Sequence, residues 1–199
     1  TNVTTGEEVD LPISANVQPI SRGDVDADGI GDVIVRNEGG GGAAGDITST
    51  QLVDQTVTGS AVLNTIKDLD YAPISSDDFD DDAKADLLMR NSAGGWLMYL
   101  INGTAIKGVG VPALPTDVTV SPVATADFNN DSRSDVLVRN SDGTWEIFLM
   151  SGTQVIFSGS PALPKLQVWQ VLATEDFNAD GQADLLMRRS DTGLWKIFI

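Results

Sequence analysis

Hydrophobic and polar positions alternate over short stretches along the chain. Trp145-Glu146-Ile147 and Trp195-Lys196-Ile197 send every second side chain to one face, the two-residue period of a strand with one packed side. The stretches are bounded by turn formers such as Asn102-Gly103-Thr104 and Ser151-Gly152-Thr153, and no long segment carries a helical period. The pattern predicts an all-β chain with few helices.

The stretches recur in a fixed order at a period of about 50 residues, the mark of a repeat architecture in which each unit leans on its neighbours. A unit opens on an apolar strand (DVTVSPVATADF, LQVWQVLATEDF) and crosses an acidic loop into a second strand that ends in Arg36, Arg90, Arg139 or Arg188. A Gly-containing turn leads to a third strand, headed by Trp96, Trp145 or Trp195 in the last three units. A second turn, a short strand and a proline-bearing connection (VPALP, SPALP) complete it. Each unit therefore reads as four short strands, and the repeats fall at 13–66, 67–115, 116–164 and 165–199 plus 1–12, in a single domain spanning 1–199. The first unit departs from the pattern: a glycine-rich insertion occupies 38–45, and its third strand (DITSTQLV) is polar and lacks the Trp.

The fourth unit stops at WKIFI, after its third strand, while TNVTTGEEVDLP at the other terminus has the character of the missing piece. Val3 aligns with Val155, and Leu11-Pro12 with Leu163-Pro164. The N-terminal strand is thus expected to complete the last unit. It does so either within its own chain, closing a ring with protected edges, or in a neighbour, by strand addition that builds chains or rings of molecules. The start at Thr1 suits a processed protein or a segment of a longer one.

The acidic loop carries the candidate chemistry. It reads Asp24-x-Asp26-x-Asp28-x-Ile30-x-Asp32, then Asp78-x-Asp80-x-Asp82-x-Lys84-x-Asp86, Asp127-x-Asn129-x-Asp131-x-Arg133-x-Asp135 and Asp176-x-Asn178-x-Asp180-x-Gln182-x-Asp184. Side-chain oxygens stand at positions 1, 3, 5 and 9 every time. A hard cation that takes six to eight oxygens suits such a set, and Ca²⁺ is the expected ion, up to one per loop and four in all. Position 7 (Ile30, Lys84, Arg133, Gln182) would add a backbone carbonyl. Solvated acidic turns are the competing account, but one turn repeated four times in register is not what chance turns give. An EF-hand needs a bidentate Glu at position 12 and flanking helices; that position holds Val35, Met89, Val138 or Met187, inside a β-rich run.

The segments DFDDDAKADLLMRN, DFNNDSRSDVLVRN and DFNADGQADLLMRR, with DVDADGIGDVIVRN as a divergent first copy, resemble the FG-GAP/VCBS repeat family. That family includes bacterial surface proteins, some fungal lectins and the integrin alpha-chain head. The resemblance covers nearly the whole chain. It implies a small β-propeller of four four-stranded blades, with Ca²⁺ in the loop between strands one and two of each blade. The Phe-Gly and Gly-Ala-Pro signatures are not evident, so the closer match is the VCBS-like branch.

Charge and composition narrow the function. With 29 acidic against 12 basic residues and a net charge of −17, repulsion excludes nucleic acid as a partner. The loops hold much of that excess, and a cation in each would neutralise a large share of it. There is no Cys and no His, so disulfides, thiol chemistry and the commonest general base are all missing. The carboxylate spacing is already explained by cation binding, and the chain is not expected to be an enzyme. Calcium is plentiful outside cells, which points to an extracellular or cell-surface setting; no signal peptide or membrane span is visible. The recurring Trp residues are read as packing between units, and the Arg residues as reaching a carboxylate or carbonyl near the loop. The expected function is a non-catalytic binding or adhesion module for a glycan or protein. Two alternatives are a structural subunit that self-assembles through its N-terminal strand and an accessory domain of a larger secreted protein.

Overall fold

The structure, a computed structural model, describes residues 17–37, 46–53, 56–63 and 69–199. The expected N-terminal strand at 1–12 and the glycine-rich insertion at 38–45 lie outside the described residues.

The chain is all-β, and among the described residues there is no helix. Four antiparallel sheets follow one another, each a meander in chain order. The first comprises β1 (Val17–Gly23), β2 (Asp32–Asn37), β3 (Ile47–Val53) and β4 (Thr56–Val62). The second comprises β5 (Ala72–Asp77), β6 (Asp86–Arg90), β7 (Trp96–Asn102) and β8 (Ala105–Gly110). The third comprises β9 (Ser121–Ala126), β10 (Asp135–Arg139), β11 (Trp145–Ser151) and β12 (Gln154–Gly159). The fourth has three strands, β13 (Trp169–Glu175), β14 (Asp184–Arg189) and β15 (Trp195–Phe198). The register repeats: Arg90 pairs with Trp96 as Arg139 pairs with Trp145 and Arg188 with Trp195.

Three apolar clusters lie between successive sheets. Ile34 and Ile47 of the first sheet pack on Leu87, Met89 and Tyr99 of the second. Leu88, Trp96 and Met98 of the second meet Val136, Val138 and Phe148 of the third. Leu137 and Trp145 of the third meet Leu185 and Met187 of the fourth. The second strands β6 and β10 are buried along almost their whole length, because both faces of an inner sheet pack on a neighbour. That is why DLLMR and DVLVR read as continuous apolar runs while outer strands such as β8 alternate. Leading strands pack side by side, β1 on β5, β5 on β9 and β9 on β13. Among the described strands β13 and β1 make no packing of that extent.

In the first three sheets the second-strand arginine ties its sheet to the next repeat. Arg36 Nη1 donates to the carbonyl of Tyr71, Arg90 to those of Val120 (2.5 Å) and Asp117 (2.7 Å), and Arg139 to those of Trp169 (2.8 Å) and Leu166 (2.7 Å). These carbonyls belong to the connection or, for Trp169, to the start of the next first strand, at the end opposite the acidic loop, so the arginines do not reach a group near the loop. Trp96 and Trp145 lie under the guanidinium groups, at 4.8 and 4.5 Å, and their Nε1 groups donate to Pro115 and Pro164. Both indoles are buried, as expected; Trp195 is not, at 53 % exposure. A charged donor to a partly buried carbonyl contributes about 2 kcal/mol. Arg139→Ala is therefore expected to lower the unfolding free energy in urea by about 2 kcal/mol, with Arg188→Ala measured alongside at under half that loss.

Candidate metal centre

Each acidic loop joins the first two strands of its sheet. The Asp at position 1 shapes it. Asp78 Oδ1 accepts from the backbone N–H groups of Asp80, Asp81 and Asp82 at 3.1, 2.8 and 3.3 Å, and Oδ2 from Ala83 at 2.7 Å. Asp24, Asp127 and Asp176 make the same kind of fan, reaching Gly29, Ser132 and Gly181 at 2.7, 2.7 and 2.9 Å. The chain can curl so tightly because positions 4 and 6 are left-handed. Ala27, Asp81, Asn130 and Ala179 fill the first, and Gly29, Ala83, Ser132 and Gly181 the second. Ala83 and Ser132 hold φ of 61° and 68° without being glycine, a conformation that L-residues avoid.

Position 5 accepts from position 7: Asp28, Asp82, Asp131 and Asp180 take the N–H of Ile30, Lys84, Arg133 and Gln182. Position 9 pins the loop to the sheet. Asp32, Asp86, Asp135 and Asp184 are all buried, and each accepts through Oδ2 from the residue at position 2. In the middle repeats Oδ1 also accepts from the third strand, from Ile101 at 2.8 Å and Met150 at 2.9 Å. Burial, with the Asp80 and Asp78 carboxylates nearby, pushes the Asp86 carboxyl up to about 7, against the lowering effect of its two N–H donors. The same causes, with Asp131 and Asp127 as neighbours, bring Asp135 to about 6. Both shifts come chiefly from burial, with the neighbouring carboxylates adding to it.

The structure brings Asp24, Asp26 and Asp28 within one ligand shell's reach, and likewise Asp78, Asp80 and Asp86, with oxygens inside 4.8 Å of one another. The third and fourth loops carry Asn129 and Asn178 at position 3, whose amides donate to Asp131 (3.1 Å) and Asp180 (3.0 Å). Asp80 Oδ1 is buried and has no hydrogen-bond partner. An all-oxygen set with such an orphan fits a hard divalent ion. In the bound state positions 1, 3, 5 and 9 and the carbonyl of position 7 would hold it, and the ion would supply the missing positive charge.

The loops also join the repeats. The position-1 carbonyl accepts from position 8 of the following loop: Asp24 from Ala85, Asp78 from Ser134 and Asp127 from Ala183, at 2.6, 2.7 and 2.8 Å. The next carbonyl accepts from a hairpin glycine of the following sheet, Val25 from Gly103 and Phe79 from Gly152.

Lys107 was not legible as part of this centre. It sits on β8, yet its Nζ is 2.7 Å from Asp80 Oδ2 and 2.9 Å from Asp82 Oδ2. Burial raises the pKa of Asp82, but the hydrogen bond and charge of Lys107 prevail and hold it below its ordinary value. The corresponding strand position is Thr58 in the first repeat and Ile156 in the third, so no repeat pattern announces it. A fixed ammonium among the ligands of a divalent ion repels that ion. Lys107→Met is expected to tighten calcium binding at the second loop on the order of tenfold, read from the Ala83 amide resonance during a calcium titration.

The model of the FG-GAP-like repeat matches residues 78–138 and 127–187, together more than half of the chain. No curated protein matches at a significant level. Among solved structures, the crystal structure of the V. cholerae biofilm matrix protein Bap1 is similar, with 22% sequence identity and a TM-score of 0.38. The match covers 90% of this chain and 29% of that one, so the chain spans less than a third of Bap1.

Proposed function

This chain belongs to the FG-GAP-like repeat family, and on that premise we propose that it is a calcium-stabilised, propeller-type module. It acts outside the cell as a non-catalytic unit of binding or adhesion. The four sheets are its blades, and an N-terminal strand completes the fourth. The observation that carries this reading is the double duty of the acidic loop. The residues that would hold the ion also supply the carbonyls that accept from the next blade. A cation there stiffens the junction between blades as well as the loop.

Two features support a non-catalytic role. The chain has no His and no Cys, and its buried carboxylates at position 9 are tied to backbone N–H groups within the loops. Free calcium at extracellular levels suits weakly selective oxygen loops of this kind. No helix among the described residues is long and apolar enough to cross a membrane. A rigid β surface of this kind suits recognition of a glycan or a protein, as a free module or as a domain of a larger secreted protein.

The exposed third-strand face of the fourth blade favours a second reading, a subunit that assembles through its N-terminal strand. Calorimetric titration of the metal-free chain with Ca²⁺, followed by binding to immobilised glycans and matrix proteins in calcium and in chelator, tests the first reading. Calcium uptake with calcium-dependent retention on at least one ligand class is expected. Absence of calcium uptake would contradict the module as described.

A further inference from the structure

The turn between β7 and β8 carries the one Asn-Gly pair of the chain, Asn102-Gly103. Asn102 ends β7 and pairs with Ala105 at the start of β8, so Gly103 and Thr104 form a two-residue turn. Gly103 stands at φ 60°, a left-handed value that tight hairpin turns require and that glycine adopts without steric cost. Asn102 is exposed.

The nitrogen of this glycine has a second duty. Its N–H crosses to the first sheet and donates to the carbonyl of Val25 at 2.6 Å. Val25 is fully buried and stands between Asp24 and Asp26 of the first acidic loop. The third sheet has the same turn in Ser151-Gly152-Thr153, where Ser151 pairs with Gln154 and Gly152 donates to the carbonyl of Phe79 at 2.8 Å. The fastening is common to both turns. Of the two, only the turn of the second sheet places a side-chain amide beside the fastening nitrogen.

An asparagine followed by glycine is a thermally labile pair. The glycine nitrogen attacks Asn Cγ, the Cγ–Nδ2 bond breaks, and ammonia leaves with the proton from the glycine N–H. A cyclic succinimide remains, and water opens it at either carbonyl to give aspartate or isoaspartate. Nothing is oxidised or reduced, and water is the co-reactant. Glycine is the most reactive neighbour because no Cβ shields its nitrogen. That nitrogen must first lose its proton and turn toward Cγ. In the closed structure the same N–H is held by Val25, so fastening and attack exclude each other.

We propose that Asn102 is a self-modification site gated by the junction between the first two sheets: it deamidates through Gly103 only when the hydrogen bond to Val25 opens. The change is one-way. Isoaspartate carries the main chain through the former side chain and lengthens it by a methylene, in a hairpin whose loop length fixes the register. Gly103 N–H then no longer meets Val25. Either product also puts a new carboxylate into the turn that donates to the first acidic loop. A junction that has opened for long enough is thus weaker when it closes again. In one respect the inference rests on the proposed function: an ion in the first loop keeps Val25 in place, so loss of calcium is the event this site records.

Two rates, measured in the full chain in mildly alkaline buffer, test the proposal. One is deamidation at Asn102, by peptide mapping with isoaspartate resolved by chromatography; the other is hydrogen exchange at the Gly103 amide. Both are followed in calcium, in chelator, and in chelator with urea below the unfolding transition. In calcium, deamidation is expected to be at least about tenfold slower than in a synthetic peptide of residues 97–107, because only locally opened molecules react. It should accelerate in step with Gly103 exchange as the junction opens. Asn102→Ser, which copies the third-sheet turn, should remove the modification and leave Gly103 exchange little changed. Deamidation in calcium at the rate of the peptide would overturn the gate, as would an intact Asn102 while Gly103 exchanges freely. If urea raises both rates together and calcium moves neither, the gate stands and the calcium-stabilised module fails.

Discussion

The contact on which the rest of the structure depends is a single backbone hydrogen bond, repeated from Asp24 to Ala85, from Asp78 to Ser134 and from Asp127 to Ala183. The acceptor carbonyl in each case belongs to the residue whose carboxylate fans out over the loop. Loop shape and the hydrogen bond to the next sheet are therefore carried by one residue. Disturb the loop and the junction to the next sheet is disturbed with it. The apolar clusters between sheets supply the larger share of burial.

In the second and third sheets the opposite end is fastened differently. There the arginine at the end of the second strand holds the connection through carbonyls, with an indole stacked beneath it. The acidic loops lie at one end of the second strand and the arginine clamps at the other. Acidic residues thus concentrate at one end, where a bound cation would offset them, and the arginine clamps lie at the other.

The strand pattern was legible in the sequence because the units repeat: four copies of one order leave little freedom in where the loops and turns fall. The oxygen positions of the loop were equally plain, and Asp78, Asp80 and Asp86 do converge. The roles of those oxygens were less plain. Position 9 reads as a ligand that closes a shell, yet its oxygens are also used to bind the backbone of the loop and of the third strand, which only the fold reveals. The arginines were expected near the metal loop and lie at the far end, since an odd or even count of strand residues says which face but not which partner. Lys107 was invisible because it reaches the loop from a strand that is distant in sequence and unlike its counterparts.

The most direct test of the account is amide hydrogen exchange at Ala85, Ser134 and Ala183, the donors that cross from one blade to the next, in calcium and in chelator. If the loops hold calcium and thereby fasten the blades, all three amides should be protected many-fold more strongly in calcium, while the amide of Gly143, held within its own turn by the Asn140 carbonyl, changes little. Equal protection of the three junction amides in both conditions would show that the blades are fastened without the ion.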